Sequence, residues 1–113
     1  MKTTDTNWSR DEFKAYVLLY AANCGHIEGA EERAYILSKV DKELYKKIHK
    51  EFDKDNDYQS IQKILANIEK FNYSHDELQD LTKEIMELFL ADDRFDNIEQ
   101  EVFILLKRIL LER

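Results

Sequence analysis

The stretch NCGHIEGAE, residues 23–31, lies between two predicted helices, and its pattern returns in ADDRFDNIE, residues 91–99. In both copies an apolar residue is followed at once by an acid, and a second acid comes three residues later. The register continues beyond the loops, so that Ile36 aligns with Ile104. Because each copy follows one apolar helix and precedes another, the repeat predicts two helix–loop–helix halves related by a pseudo-two-fold axis.

The rest of the chain is typical of a small helical protein. It has 113 residues, no proline and only two glycines, so helix breakers are almost absent. Apolar residues make up 43% and aromatic residues 12%, which is enough for a core. Apolar spacing at helical intervals predicts an all-α compact bundle of about six helices. We expect residues 1–8 to be a lead-in and residues 9–113 to form a single domain.

Several helix starts are marked by capping residues. Ser9–Glu12 and Ser74–Glu77 have the spacing of capping boxes, and Asp41 is a predicted N-cap. The polar turn at 53–57 is expected to lie in solvent, with Asp57 or Ser60 capping the next helix.

The first helix is predicted to bury one stripe of side chains. Its members recur at helical spacing: Phe13, Tyr16, Val17, Tyr20 and Ala21. Trp8 just before it either staples the helix to the body or anchors a partner.

The charge balance limits the classes of partner. The formal net charge is −7, and the basic pair Lys46-Lys47 is followed by Glu51 and Asp53. Nucleic-acid binding requires a basic face, so this class is excluded by prediction. The negative balance instead suits cations or basic protein surfaces.

Cys24 is the only cysteine, so no disulfide can form within the chain. The first residues contain no apolar segment of the kind found in signal peptides. The longest apolar run, Ala15–Ala22, is far shorter than the about 20 residues of a membrane-spanning helix. We therefore expect a cytoplasmic protein without direct membrane insertion.

The acids of the second loop are the candidate cation site. Asp92, Asp93, Asp96 and Glu99 offer several oxygen atoms within a short segment, and hard cations prefer oxygen ligands. A complete calcium loop is absent, because the twelfth position counted from Asp92 is Phe103 and not glutamate. In both loops the alternative is that the acid after the apolar residue, Glu28 or Asp96, caps the following helix and that the acid three residues later, Glu31 or Glu99, completes a capping box.

The paired loops resemble those of the tellurite-resistance TerB family, whose motif is Ala-Asp-Gly-x-Ile-Asp-x-x-Glu in two halves. This resemblance implies a compact all-α fold, no established reaction, and divalent-cation binding by the loop acids. It also implies roles in stress response or membrane-associated assemblies. By position, Asp92, Asp96 and Glu99 match the acidic places of the second loop. Only Glu28 and Glu31 match in the first loop, where Cys24 replaces the leading aspartate, so that set of ligands is less complete.

These observations lead to a functional hypothesis. We expect a non-enzymatic TerB-like interaction module that contacts another protein and needs no cofactor beyond a weakly bound divalent cation. Homo-oligomerisation remains open. One alternative is a structural scaffold without any ligand. Another is a small metal- or thiol-dependent enzyme that uses Cys24 and His26, although their spacing supplies neither a zinc site nor a catalytic base.

Overall fold

The computed structural model describes residues 7–23, 28–91 and 97–111, and every regular element in these ranges is an α-helix. The bounds, in chain order, are α1 Arg10–Asn23, α2 Ala30–Lys39, α3 Lys42–Asp53, α4 Asp57–Phe71, α5 His75–Leu90 and α6 Asn97–Leu111. The predicted all-α bundle of six helices is confirmed. No helix within these ranges is long and apolar enough to cross a membrane.

Helix α1 lies at the centre of the bundle. It packs against all five other helices, and every residue from Ala15 to Ala22 is buried. The structure therefore buries more of α1 than the predicted stripe of side chains. A helix that is apolar on all sides, as this segment is, is typically surrounded by other helices. The other five helices bury one face each around α1.

Local capping sets most helix starts. Ser9 N donates to Glu12 Oε1 at 2.7 Å, and Glu12 N donates to Ser9 Oγ at 3.1 Å. The Ser74–Glu77 box and the Asp41 cap form as predicted. Helix α4, however, is capped by Asn56, which exchanges hydrogen bonds with Gln59, rather than by Asp57 or Ser60. Asn56 takes this role because α4 begins one position earlier than a cap at Asp57 would allow.

The turn between α3 and α4 is held by the core, which corrects the expectation of a fully solvated turn. Asp55 accepts hydrogen bonds from Tyr16 Oη at 2.5 Å and from Lys63 Nζ at 2.8 Å. Tyr20 Oη donates to Asp57 Oδ1 at 2.7 Å. These bonds join the turn to α1, so its acids serve the fold.

Trp8 is a staple of α1 rather than an exposed anchor. It is buried, its ring centroid lies 4.5 Å from that of Tyr16, and its Nε1 donates to Glu51 Oε2 at 2.7 Å. Trp8 thereby ties the start of α1 to α3.

Burial in α2 and α6 does not follow the register of the sequence repeat. Ile36 is fully buried, whereas its aligned residue Ile104 is 56% exposed. Glu31 is exposed, whereas its aligned residue Glu99 is buried. The centres of both loops lie outside the described residues, so the pseudo-two-fold repeat stays a prediction.

Candidate functional site

The predicted cation site at the second loop is only partly described. Residues 92–96, which include Asp92, Asp93 and Asp96, lie outside the described residues. Glu99 lies in the first turn of α6 and is 2% exposed. Within the described ranges, no group of three His, Cys, Asp or Glu side chains is arranged to hold a metal ion.

The two acids of the first loop have different surroundings. Glu28 is buried just before α2, whereas Glu31 is exposed in its first turn. The N-cap of α2 is Gly29, whose N–H donates to Glu32 Oε1 at 3.0 Å. The expected capping by Glu28 and Glu31 is therefore displaced by one residue, because the helix begins at Ala30.

Glu28 is the centre of a polar cluster that joins α2 and α3. Tyr45 Oη donates a hydrogen bond of 2.6 Å to Glu28 Oε2. His49 Nε2 lies 3.3 Å from Glu28 Oε1, and Arg33 Nε lies 3.6 Å from Oε2. A buried carboxylate requires such partners, since an unpaired buried charge is costly. Both oxygens face protein donors, which counts against Glu28 as a metal ligand.

Burial and the neighbouring carboxylate keep the Tyr45 hydroxyl protonated. Burial, followed by the hydrogen bond to Glu28, raises the pKa of Tyr45 to about 12. At neutral pH this hydroxyl is therefore a hydrogen-bond donor and not a base. The hydrogen bond between Tyr45 and Glu28 therefore holds the two helices together.

An open groove of about 650 Å³ lies beside this cluster, between α2 and α3. Tyr45 and His49 line it, together with Leu37 of α2, which is 36% exposed. The remaining lining among the described residues is mostly basic, with Glu43 as the one acid: Arg33, Lys42, Lys46, Lys47 and Lys50. The groove therefore combines a small apolar surface with positive charge.

Three of these lysines form a stripe along α3. Lys42, Lys46 and Lys50 are four residues apart, so they share one side of the helix at intervals of about 6 Å. All three are exposed, and none forms an ion pair with a described residue. Lys47, by contrast, lies 2.7 Å from Glu12 Oε2. The lysine stripe, defined as Lys42, Lys46 and Lys50, is thus available to a negatively charged ligand.

This basic surface was not predicted from the sequence, because acids stand close to these lysines along the chain. The nearby acids Glu51 and Asp53 turn toward other partners. Glu51 accepts from Trp8 and contacts Lys63, and Asp53 lies 3.0 Å from His49 Nδ1. The spacing of the lysines by four in a predicted helix was the signal that could have found the stripe.

The residues of the enzyme alternative cannot be placed, because Cys24 and His26 lie outside the described residues. His75, the third histidine, is exposed at the start of α5. Comparison with protein-family models, characterised proteins and solved structures found no match to this chain.

Proposed function

We propose that this chain is a non-enzymatic interaction module that binds an acidic segment of another protein in the groove between α2 and α3. The observation that carries this proposal is the lysine stripe, a local positive surface on a chain of net charge −7. The single cysteine supports a reducing compartment such as the cytoplasm.

Charge complementarity supports an acidic occupant. Glutamates four residues apart on a helical peptide would face the lysine stripe at matching intervals. An apolar side chain of the peptide could then contact Leu37 and the edge of Tyr45. The exposed charges increase the rate of encounter and set orientation, while the apolar contact adds affinity.

The walls of the groove are held in place by the Glu28 cluster. The hydrogen bond between Tyr45 and Glu28 links α3 to the start of α2, and Arg33 contacts the same carboxylate. A surface whose shape is already set loses less conformational entropy on binding. The cluster is therefore a positioning element of the proposed groove.

The test is a titration with a fluorescent 15-residue helical peptide that carries glutamates four residues apart and one leucine. We expect saturable binding that weakens as salt is added, because exposed charges are screened. The double variant Lys46→Glu with Lys50→Glu should raise the dissociation constant at least about tenfold. NMR shifts should map to α2 and α3.

The matched control is Lys83→Glu with Lys107→Glu, which makes the same change of net charge at exposed positions of α5 and α6. An equal loss of binding in both double variants would contradict the groove. Equal binding of a single-stranded oligonucleotide of the same length would also contradict it, since attraction to any polyanion would then explain the result.

The resemblance to TerB loops adds a second part to the proposal, a divalent cation bound weakly at Asp92, Asp96 and Glu99. Glu99, the member of this set within the described residues, is buried in the first turn of α6, and carboxylate oxygens such as its own are the ligands that hard cations prefer. Glu28 and Glu31, the weaker set of the first loop, are left out of this proposal because protein donors already face both oxygens of Glu28. Roles in tellurite resistance and stress response are implied by this resemblance alone.

An amide-resolved NMR titration with calcium, magnesium and zinc tests the cation. Shifts confined to residues 92–99, and lost in Asp96→Ala, would support it. The absence of shifts at about 1 mM metal would reject it, since extracellular-type sites already bind in this range. A strong zinc response at Cys24 and His26 would instead favour the metal- or thiol-enzyme alternative.

A further inference from the structure

Helix α6 exposes large apolar side chains on the side that faces away from the core. Its buried residues are Glu99, Val102, Leu106 and Leu110. On the outer side, Ile104 is 56% exposed and Leu105 is 41% exposed. Apolar side chains that adjoin one another on a surface form a patch that a partner can cover, unlike single exposed residues.

Two exposed charges share this outer side. Glu101 and Arg108 are seven residues apart, which places them two turns apart on nearly the same line of the helix. Both are exposed, and neither forms an ion pair with a described residue. Ile104 and Leu105 lie between them, one on each side of that line. We call Glu101, Ile104, Leu105 and Arg108 the α6 outer face.

The order of these residues is self-complementary. If two copies of α6 pack antiparallel around a two-fold axis between positions 104 and 105, Ile104 lies at the height of Leu105 of the second copy. Glu101 then lies at the height of Arg108 of the second copy, about 5 Å from the axis along the helix. Symmetry repeats both contacts, so two apolar pairs are flanked by two opposite-charge pairs.

We propose that the α6 outer face is the contact surface of an antiparallel homodimer. The charge pattern favours a second copy over an unrelated partner, because the acid and the base stand at equal distances on opposite sides of the apolar pair. The parallel arrangement would place Glu101 beside Glu101 and Arg108 beside Arg108, which like-charge repulsion disfavours.

The dimer leaves the proposed groove free. Helix α6 packs on α1, α4 and α5, whereas the groove is lined by residues of α2 and α3. A dimer would therefore present two grooves to one partner or to two. An interface built on one short helix from each copy is small, so we expect weak association that appears at high protein concentration.

Sedimentation equilibrium of the full chain, from about 10 µM to about 1 mM, measures this association. Salt of about 0.15 M limits the general repulsion between acidic chains. We expect the average mass to rise from that of one 13.6 kDa chain toward twice that value. Glu101→Arg or Arg108→Glu alone should weaken association at least about tenfold, because each variant faces like charge in the dimer.

Charge exchange tests the pairing across the interface, and the loss in each single variant shows that this pairing is antiparallel, because a parallel pair already places like charges together. A mixture of Glu101→Arg and Arg108→Glu chains should form heterodimers, since all four charges then meet opposite partners. The double variant in one chain should dimerise like the original. Lys107→Glu makes the same charge change as Arg108→Glu beside the outer face and should have little effect.

A chain that remains monomeric throughout the concentration range would overturn the proposal. So would equal effects of Lys107→Glu and Arg108→Glu, or a mixture that fails to associate although each chain retains its helical circular dichroism. Peptide binding to the groove is measured separately, so either proposal can fail without the other.

Discussion

At the scale of single residues, Glu28 has the most consequential surroundings. Its carboxylate is buried between the start of α2 and the middle of α3, where Tyr45, His49 and Arg33 contact it. Contacts from both helices turn this buried carboxylate into a link between them. The same residue was predicted as a helix cap and a secondary cation ligand because its partners are distant in sequence.

Replacing Tyr45 with phenylalanine should measure the strength of this link. The variant keeps the ring but removes the 2.6 Å hydrogen bond to a buried carboxylate, so the free energy of unfolding should fall by about 2 kcal/mol. Urea unfolding measures the change. Tyr58→Phe is the control, since Tyr58 is 70% exposed, and it should cost less than about 0.5 kcal/mol. Equal effects would show that Glu28 does not depend on this donor.

At the scale of secondary-structure elements, the helix starts depend on short-range exchange of hydrogen bonds. The Ser9–Glu12 box also carries a long-range contact, because Glu12 Oε2 lies 2.7 Å from Lys47 Nζ of α3. Burial alone would raise the pKa of Glu12, but the hydrogen bonds from Lys47 and Ser9 outweigh it and lower this pKa below its ordinary value of 4.5. One carboxylate thus caps α1 and joins it to α3.

This lowered pKa predicts a pH dependence of stability. When the pKa of a carboxyl group is lower in the folded state than in the unfolded state, its ionised form stabilises the fold at any pH above the unfolded-state pKa. This stabilisation is lost as the pH falls through the folded-state pKa. At pH 7 the free energy of unfolding of the original chain should be about 1 kcal/mol larger than that of Glu12→Gln. This difference should shrink as pH drops below about 4.5. Unfolding curves between pH 7 and pH 3 measure the free energy of unfolding of both chains.

Asp80→Asn, on the exposed side of α5, is the control. A difference that persists undiminished at pH 3 would contradict the assignment.

At the scale of the whole molecule, α1 is the element around which the others pack. It contacts each of the other helices and buries every residue from Ala15 to Ala22. The exposed surface is correspondingly left to the outer helices, with the lysine stripe on α3 and the apolar outer face on α6. The central helix α1 thus contributes most to the core, whereas both proposed interaction surfaces lie on the outer helices α3 and α6.

Truncation of a central side chain should be costly. Leu18 is fully buried in α1, so Leu18→Ala should lower the free energy of unfolding by about 3 kcal/mol through lost burial and a cavity. Leu90→Ala removes the same atoms from a residue that is 51% exposed, and it should cost clearly less. Thermal and urea unfolding of both variants measure the difference. Similar losses would show that α1 is not the centre of the fold.

The sequence by itself determined the helical class, the number of helices and most of their starts. These features depend on residues three or four apart, such as Ser9 with Glu12 and Ser74 with Glu77, and such neighbours are visible in a linear chain. The paired loops also pointed to the segment that includes Glu99, whereas the burial of that residue was decided by the tertiary structure.

Only the tertiary structure decided which surfaces are available. The partners of Glu28, the complete burial of α1 and the availability of Lys46 and Lys50 depend on contacts between helices that are distant in sequence. Net charge could not predict the lysine stripe, because an average over the chain hides how folding pairs some charges and leaves others exposed. Which side chains are buried or paired depends on packing in three dimensions. The exposure of the lysine stripe and of the α6 outer face could therefore be identified only from the folded chain.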